Sequence, residues 1–327
     1  MKGGAQRNPI HRLYDGRQEN ILLMKQAIAV IRLGRPQFLI GGFTMYALGA
    51  ALANFQGVAI DLTAYVLGQL AVTSIHAMTH YLNDYHDLET DRLNTRRTFF
   101  SGGSGILPAG LLPPRVALYA GLSLLSIGFL FMLVLAVLYS ISLAAWIVFA
   151  GTMVGAAFYS SPPLRLASTG FGEVTTALVV AFLVAALAYT IQAETLSLLV
   201  FTTTLPLIAL AWAMVVAFEF PDHDADRSAG KRTVLVRLGA RTTANLHTGV
   251  SLLAFILLAP AIATGTPSMA VALFLLAAIP ALGTTAFIQL SVRGAAVRPI
   301  WMTLGAVTTF GLAGALMLAG VVWEGLR

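Results

Sequence analysis

The sequence predicts an all-α fold, a polytopic membrane helix bundle with about nine transmembrane helices. Of the 327 residues, 57% are hydrophobic and only 10% are charged, whereas an ordinary soluble domain is about 25% charged. So few charged residues cannot cover a protein surface that faces water, and lipid must therefore cover most of the surface of this protein. A spanning helix needs about 20 apolar residues, and the sequence contains nine such segments. They are 37–56, 62–82, 116–138, 141–159, 171–191, 196–218, 245–264, 268–290 and 299–321.

Basic residues give the predicted helices an orientation. Of the 20 Lys and Arg residues, all except Arg327 lie before the first span or in alternate loops, and the intervening loops carry none. Because loops rich in Lys and Arg remain in the cytoplasm, this pattern predicts a cytoplasmic N-terminus and cytoplasmic long loops. The expected location is a bacterial or archaeal plasma membrane. The basic loops are 83–115, 160–170, 219–244 and 291–298.

The chain is predicted to have two parts. Residues 1–36 would form a cytoplasmic or interfacial segment, and residues 37–327 a single transmembrane domain. Within the first part, residues 20–33 carry apolar side chains at helical spacing, with Lys25 and Arg32 among them. Such a helix can lie on the membrane surface before the first span, although an additional soluble helix fits the same pattern.

Acidic residues are concentrated in two short windows. Each window follows the predicted cytoplasmic end of a span, the second and the sixth. Asn83, Asp87 and Asp91 are spaced by four residues, as are Asp222 and Asp226, so each set shares one face of a continued helix. Like charges at this spacing destabilise a helix, and a divalent cation would compensate. The windows hold eight of the 14 acids: Asp84, Asp87, Glu89, Asp91, Glu219, Asp222, Asp224 and Asp226.

The residue types in these windows favour a site for Mg²⁺ and a diphosphate. The chain has no cysteine, which excludes thiolate ligands and disulfides, and Mg²⁺ prefers oxygen ligands and bridges to substrate phosphates. Arginine and lysine follow each window and suit phosphate oxygens. The run 101–105 (SGGSG) would let backbone approach a substrate closely. Solvated loop charges held together by Arg–Asp pairs are the alternative interpretation.

These motifs resemble those of the UbiA-type intramembrane prenyltransferases. Residues 83–91 (NDYHDLETD) resemble the first Asp-rich motif of that family, and residues 222–226 (DHDAD) resemble the second. The resemblance covers nearly the whole chain, and the nine predicted spans agree with the nine-helix bundle of the family. Other segments similar to the family are 35–36 (RP), 159–165 (YSSPPLR), 172–173 (GE), 230–233 (GKRT) and 236–239 (VRLG).

The resemblance implies a Mg²⁺-dependent transfer of a polyprenyl group from its diphosphate to an acceptor, usually an aromatic ring. Members often carry a lysine after the Pro-Pro loop, where this chain has Ala167 and Ser168, and Arg165 is the predicted replacement. The implied catalytic positions are Asn83, Asp87, Asp91, Asp222 and Asp226, with the four aspartates as metal ligands. The implied diphosphate-binding residues are Arg92, Arg96, Arg97, Arg165, Lys231 and Arg232. His80, Tyr159 and Glu173 are candidates for the acceptor pocket, and a structural role is the alternative for each.

The resemblance is strongest to the branch that prenylates 1,4-dihydroxy-2-naphthoate in menaquinone synthesis. Related acceptors are 4-hydroxybenzoate, homogentisate, chlorophyllide, haem and glycerol-phosphate lipids. The expected partners are a polyprenyl diphosphate, an aromatic acceptor and the lipid bilayer, with no nucleic acid. A cation-coupled transporter is the alternative from another class. Transporters, however, place acids near the membrane midplane, and the centres of the predicted spans contain no Asp or Glu.

Overall fold

The chain folds as a bundle of α-helices in a computed structural model that describes residue 20 and residues 23–327. Residues 1–19, 21 and 22, which belong to the predicted N-terminal segment, lie outside the described residues. The helices are α1 (23–33), α2 (Pro36–Phe55), α3 (Leu62–His86), α4 (Leu88–Leu93), α5 (Pro114–Leu138), α6 (Leu143–Ala157), α7 (Gly172–Ala193), α8 (Leu198–Ser228), α9 (Val234–Leu238), α10 (Ala240–Ala263), α11 (Ser268–Val292) and α12 (Pro299–Gly325).

Each of the nine predicted spans coincides with a helix of the described chain. Seven of these helices, α2, α5, α7, α8, α10, α11 and α12, are long and apolar enough to cross a membrane. The helix α6 has only 15 residues, and α3 has 25 residues but carries the polar side chains of Gln69, His76 and His80. The prediction of an all-α membrane bundle is therefore confirmed, and its count of nine spans is approximate.

Two helices extend beyond their predicted spans. The spans 62–82 and 196–218 are each lengthened at the carboxyl end, to His86 in α3 and to Ser228 in α8. The 31 residues of α8 correspond to a rod of about 46 Å at roughly 1.5 Å per residue, which exceeds a hydrocarbon core of about 30 Å. Both extensions lie at the same end of the bundle, which we call the aspartate end.

Polar side chains fix helix starts at the opposite end. Asp61 is the N-cap of α3 and accepts a hydrogen bond from the Ala64 N–H at 2.9 Å, and it also accepts one from the Tyr139 hydroxyl at 2.9 Å. Ser142 accepts from the Ala145 N–H at 3.2 Å and begins α6. Because capping satisfies amides that have no partner within the helix, these contacts account for the break between α5 and α6 that the sequence predicts at 139–140.

Small residues let the central helices approach closely. A methyl group on Gly121 or Gly128 of α5 would stand within 3 Å of Leu82 or Ile75 of α3, so these two helices require glycine where they cross. In a membrane, such close van der Waals contact is a main source of helix association. The packing fixes α3, and with it the polar residues at its carboxyl end.

The N-terminal helix α1 lies against this bundle with one face. Ala29 and Leu33 are buried, and the Val30 carbonyl accepts a hydrogen bond from the Tyr81 hydroxyl of α3 at 3.0 Å. The opposite face exposes large apolar side chains, and the position of this helix on the membrane surface stays a prediction. These side chains are Leu23, Met24, Ile28 and Ile31.

Candidate active site

The two acidic windows meet at the aspartate end around one cavity of about 130 Å³. The helix α3 ends at His86, and α4 continues almost directly, with Asp87 between them. Helical hydrogen bonding persists through this joint, because the Asp87 N–H donates to Asn83 O and the Asp91 N–H donates to Asp87 O, both at 2.8 Å. Asp222 and Asp226 of α8 face the same cavity. The five predicted catalytic positions all line it: Asn83, Asp87, Asp91, Asp222 and Asp226.

Hydrogen bonds orient the side chains of the first window. The Asn83 amide donates to Asp87 Oδ2 at 2.8 Å and to Ser160 Oγ at 2.7 Å, so it ties α3 to the loop after α6. Asp91 is buried, and its Oδ2 atom accepts from no donor in the described part of the chain. Burial raises the pKa of Asp91 to about 7, although the charge of Arg35 opposes the shift. A bound cation would stabilise the ionised carboxylate here.

The glycine-rich run, residues 101–105, contacts acidic residues of both windows. Asp222 Oδ1 accepts from the Asn94 amide at 2.7 Å, and its Oδ2 accepts from the Gly102 N–H at 3.0 Å. Gly103 has a φ of 74°, and a Cβ at this position would overlap the Asp91 carboxylate. The run therefore needs glycine both for its left-handed backbone and for its approach to the acids.

Lys231 links the two windows across the cavity. Its Nζ lies 3.1 Å from Asp87 Oδ2 and 3.5 Å from Asp226 Oδ1, and only 13% of its side chain is exposed. Burial would lower the pKa of Lys231, but the Asp87 and Asp226 carboxylates outweigh it and raise the pKa above its ordinary value. The lysine therefore stays protonated, and it presents a fixed positive charge beside the carboxylates.

Asp84 and Asp224 lie outside the sets of acids spaced by four residues, and they have other surroundings. Asp84 is buried and pairs with Arg35 at 2.7 Å, and both of its oxygens accept from the Ser104 N–H at 3.1 to 3.2 Å. It thus holds the glycine-rich run to α3 without lining the cavity. Asp224 is 81% exposed and lies beside His223 at 3.2 Å.

Of the six predicted diphosphate-binding residues, only Lys231 lines the cavity among the described residues. Arg92, 51% exposed, pairs with Glu89 at 2.6 Å on the surface. Arg97 donates to the Asp91 carbonyl at 2.8 Å and to the Gly102 carbonyl, so it supports the glycine-rich run from behind. Arg165, the predicted substitute for the family lysine, is exposed, and Ala167 faces the cavity instead. Arg96 and Arg232 are also exposed.

Two of the three predicted acceptor-pocket residues, Tyr159 and Glu173, line the cavity. His80 is absent from the lining that the described chain forms. It stacks on Phe38, with ring centroids 5.3 Å apart. Phe38 in turn contacts Phe100 and Phe218 edge-on, and these two rings do line the cavity. His80 therefore supports an aromatic wall from behind.

Sequence reasoning missed several residues of this cavity. Arg35 has a left-handed backbone with a φ of 46° at the turn between α1 and α2, and its side chain lines the cavity. No spacing pattern in the sequence indicated that residues 35–36 would lie near the acidic residues. The other lining residues without a predicted role include Thr90, Asn94, Phe100, Val215 and Phe218.

Comparison with known proteins assigns the family. A model described as the UbiA prenyltransferase family matches residues 42–307, which is most of the chain. This chain belongs to the UbiA prenyltransferase family. It is accordingly a prenyltransferase, and its apolar helices make it an integral membrane protein. The matched range begins in α2 and ends in α12, so both acidic windows lie inside it.

Individual relatives are more distant. A 1,4-dihydroxy-2-naphthoate octaprenyltransferase from Bacillus subtilis (strain 168) is 25% identical over 244 residues, which cover 72% of this chain and 74% of the relative. A UbiA homologue from Archaeoglobus fulgidus bound to GPP and Mg²⁺ superposes with a TM-score of 0.60 at 19% identity, covering 91% of this chain and 100% of the other. A digeranylgeranylglyceryl phosphate synthase gives 0.62 at 17% identity, covering 91% and 99%. These solved structures show that the UbiA prenyltransferase fold is shared.

Proposed function

We propose that this UbiA prenyltransferase transfers a polyprenyl group from its diphosphate to 1,4-dihydroxy-2-naphthoate, with Mg²⁺ as cofactor. The observation that carries the proposal is the convergence of Asp87, Asp91, Asp222 and Asp226 with one buried lysine on a single cavity. Carboxylates that hold metal, beside a cation that binds phosphate oxygens, suit a diphosphate leaving group. The similarity to the Bacillus subtilis naphthoate enzyme supports the choice of acceptor.

The acids of the cavity fit Mg²⁺ shared with a substrate. Within the described chain, no three His, Cys, Asp or Glu side chains form a group that could hold an ion on their own. Mg²⁺ commonly binds through one or two carboxylates together with substrate phosphates and water. Asp91 Oδ2, which has no hydrogen-bond partner among the described residues, offers a ligand of the right kind. Asp87 and Asp91 would hold the metal from one side, and Asp222 and Asp226 from the other. When bound, Mg²⁺ would neutralise charge on the diphosphate oxygens.

The protein residues would then complete the reaction. Lys231 and Arg35, both on the cavity wall, would stabilise the negative charge that develops as the bond between the prenyl carbon and the diphosphate oxygen breaks. Phe100, Phe218 and Val215 give the cavity an apolar side, which would exclude water from the electron-poor prenyl group. The electron-rich acceptor would attack from the side of Tyr159, so that a ring carbon bonds to the prenyl carbon as the diphosphate leaves. The ring would then regain its aromaticity by losing its carboxyl group as carbon dioxide. Among the predicted cations, we retain Lys231 alone for the diphosphate, because it lines the cavity.

Turnover with separate acceptors tests this proposal. Purified protein would receive Mg²⁺, a labelled polyprenyl diphosphate and either 1,4-dihydroxy-2-naphthoate, 4-hydroxybenzoate or homogentisate. We expect a lipid-soluble product with the naphthoate and its loss on addition of EDTA. The double variant Asp87→Ala/Asp222→Ala should abolish turnover, while the exposed Asp224→Ala control should retain it. Product formation with another acceptor alone would replace the proposed substrate, and activity in the double variant would contradict the site.

A further inference from the structure

Two buried glutamates from different helices meet at the start of α9. Glu173, in the first turn of α7, accepts a hydrogen bond from the Val234 N–H at 2.9 Å. Glu219, on α8, accepts one from the Leu235 N–H at 2.7 Å. The exposed fractions are 3% for Glu173 and 6% for Glu219, so both carboxyl groups are buried where α9 begins. The first two amides of α9 are thus each held by a carboxyl group.

These contacts belong to a set that attaches the segment before α9 to the bundle. The Lys231 N–H donates to Asp226 O, and the Arg232 N–H donates to Ser168 O, both at 2.9 Å. Thr233 caps α9 through the Val236 N–H. The segment 231–236 is therefore attached to α8, to the loop before α7 and to both glutamates. It carries Lys231, which is the one predicted diphosphate-binding side chain in the described lining of the cavity.

We propose that Glu173 and Glu219 are positioning residues, which anchor the start of α9 and so hold the Lys231 ammonium group between Asp87 and Asp226. This inference rests on the proposed function of Lys231 in binding the diphosphate. Neither glutamate forms an ion pair within the described chain, and each accepts a hydrogen bond from a backbone amide of α9. A lysine side chain is long and flexible, so its ammonium group stays in place only if its backbone is fixed.

Variants can separate the anchor from the charge of the glutamates. Glu173→Leu and Glu219→Leu remove the acceptor, whereas Glu173→Gln and Glu219→Gln keep a carbonyl oxygen that can accept the same N–H. Val234→Pro removes the N–H that donates to Glu173 and leaves both glutamate side chains unchanged. Proline is tolerated at the first position of a helix. Glu324→Leu is the matched control, because Glu324 also accepts from a backbone amide, that of Met269, at the opposite end of the bundle.

Hydrogen exchange tests the anchor without reference to activity. We expect amides of the segment 231–238 to exchange at least tenfold faster in both leucine variants and in Val234→Pro. The glutamine variants should keep most of the protection, and Glu324→Leu should leave this segment unchanged. Unchanged exchange in the leucine and proline variants would overturn the anchor. If the leucine variants fail to insert, the proline and glutamine variants still give this answer.

Kinetics then test whether the anchor acts through Lys231. Each leucine variant and Val234→Pro should lower turnover about tenfold, and the same changes should cost little more in a Lys231→Met background, because residues that act through one another are not additive. Fully additive losses, or equal losses with glutamine and leucine, would overturn the positioning role. If the wild-type protein shows no prenyl transfer at all, the proposed function fails, and the exchange data still decide whether the anchor exists.

Discussion

Lys231 Nζ lies 3.1 Å from Asp87 Oδ2, although Asp87 belongs to the first acidic window and Lys231 follows the second one, far away in the sequence. The same ammonium group lies 3.5 Å from Asp226, so one cation is shared between the carboxyl ends of α3 and α8. A diphosphate that enters the cavity would meet this cation already in place. Groups fixed before the substrate arrives need no reorganisation during the reaction, which is why they are effective in catalysis.

Lys231→Met should strongly impair turnover. Hydrogen bonds to charged groups contribute about 1.5–3 kcal/mol, so the loss of this cation should lower kcat/KM for the prenyl diphosphate by about 10- to 100-fold. Steady-state kinetics with the labelled diphosphate would measure the effect. Arg241→Met, which removes an exposed cation outside the cavity, is the control. Equal kcat/KM values for the two variants would rule out the role of Lys231.

The Arg35–Asp84 pair should contribute to stability, in addition to the proposed action of Arg35 on the diphosphate. Because both side chains are largely buried, with 11% and 0% exposure, removal of one partner leaves the other charge buried and unpaired, at a cost of about 3–5 kcal/mol. Asp84→Ala should therefore lower the thermal midpoint of the protein in detergent far more than Asp224→Ala. The double variant Arg35→Met/Asp84→Leu should recover part of the loss. A midpoint for Asp84→Ala equal to that of Asp224→Ala would show that the pair is dispensable.

Two glycines with similar backbones offer a matched comparison. Gly103 and Gly110 have φ values of 74° and 68°, but a Cβ at Gly103 meets the Asp91 carboxylate, whereas a Cβ at Gly110 meets nothing within 4 Å. Both alanine variants should lose about 1–2 kcal/mol of stability to the left-handed backbone. Only Gly103→Ala should also displace Asp91 and reduce turnover. A comparable fall in turnover for Gly110→Ala would show that backbone strain alone causes the loss of turnover in Gly103→Ala.

The absence of cysteine from the sequence permits a test of orientation without background labelling. Arg293→Cys would place a thiol on an exposed position at the aspartate end, and Leu196→Cys would place one at the opposite end, where Leu196 is 45% exposed. By the positive-inside rule, a membrane-impermeant maleimide should label the Arg293→Cys variant only in inside-out vesicles and the Leu196→Cys variant only in intact cells. The reverse pattern would invert the predicted topology.

The sequence predicted those features that depend on short-range patterns. Asp87 and Asp91 are one helical turn apart, and the spacing alone placed them on one face. Apolar runs of about 20 residues located the spans. Helix ends were less accurate, because α8 remains helical through Pro221 to Ser228, and hydropathy does not report helical structure beyond the membrane.

Contacts between distant segments could not be predicted in this way. Asn94 binds Asp222 across 128 positions, and Glu219 reaches α9 from another helix. The converse holds for arginines that lie close to the acidic residues in the sequence, because they do not line the cavity. Arg92 and Arg96 follow the first window, but at their positions the helix and loop direct them to solvent, so closeness in sequence did not mean closeness to the cavity.

The polar character of α3 has a consequence for how the protein is made. This helix carries Gln69, His76, His80 and Asn83. A segment with so many polar residues enters the lipid bilayer inefficiently on its own. Its neighbours in the bundle include α2, which is synthesised earlier, and α5 and α7, which are synthesised later. We therefore expect α3 to remain beside the translocon until α5 emerges. The helix that carries half of the candidate site would thus enter the bilayer only in company with a downstream partner.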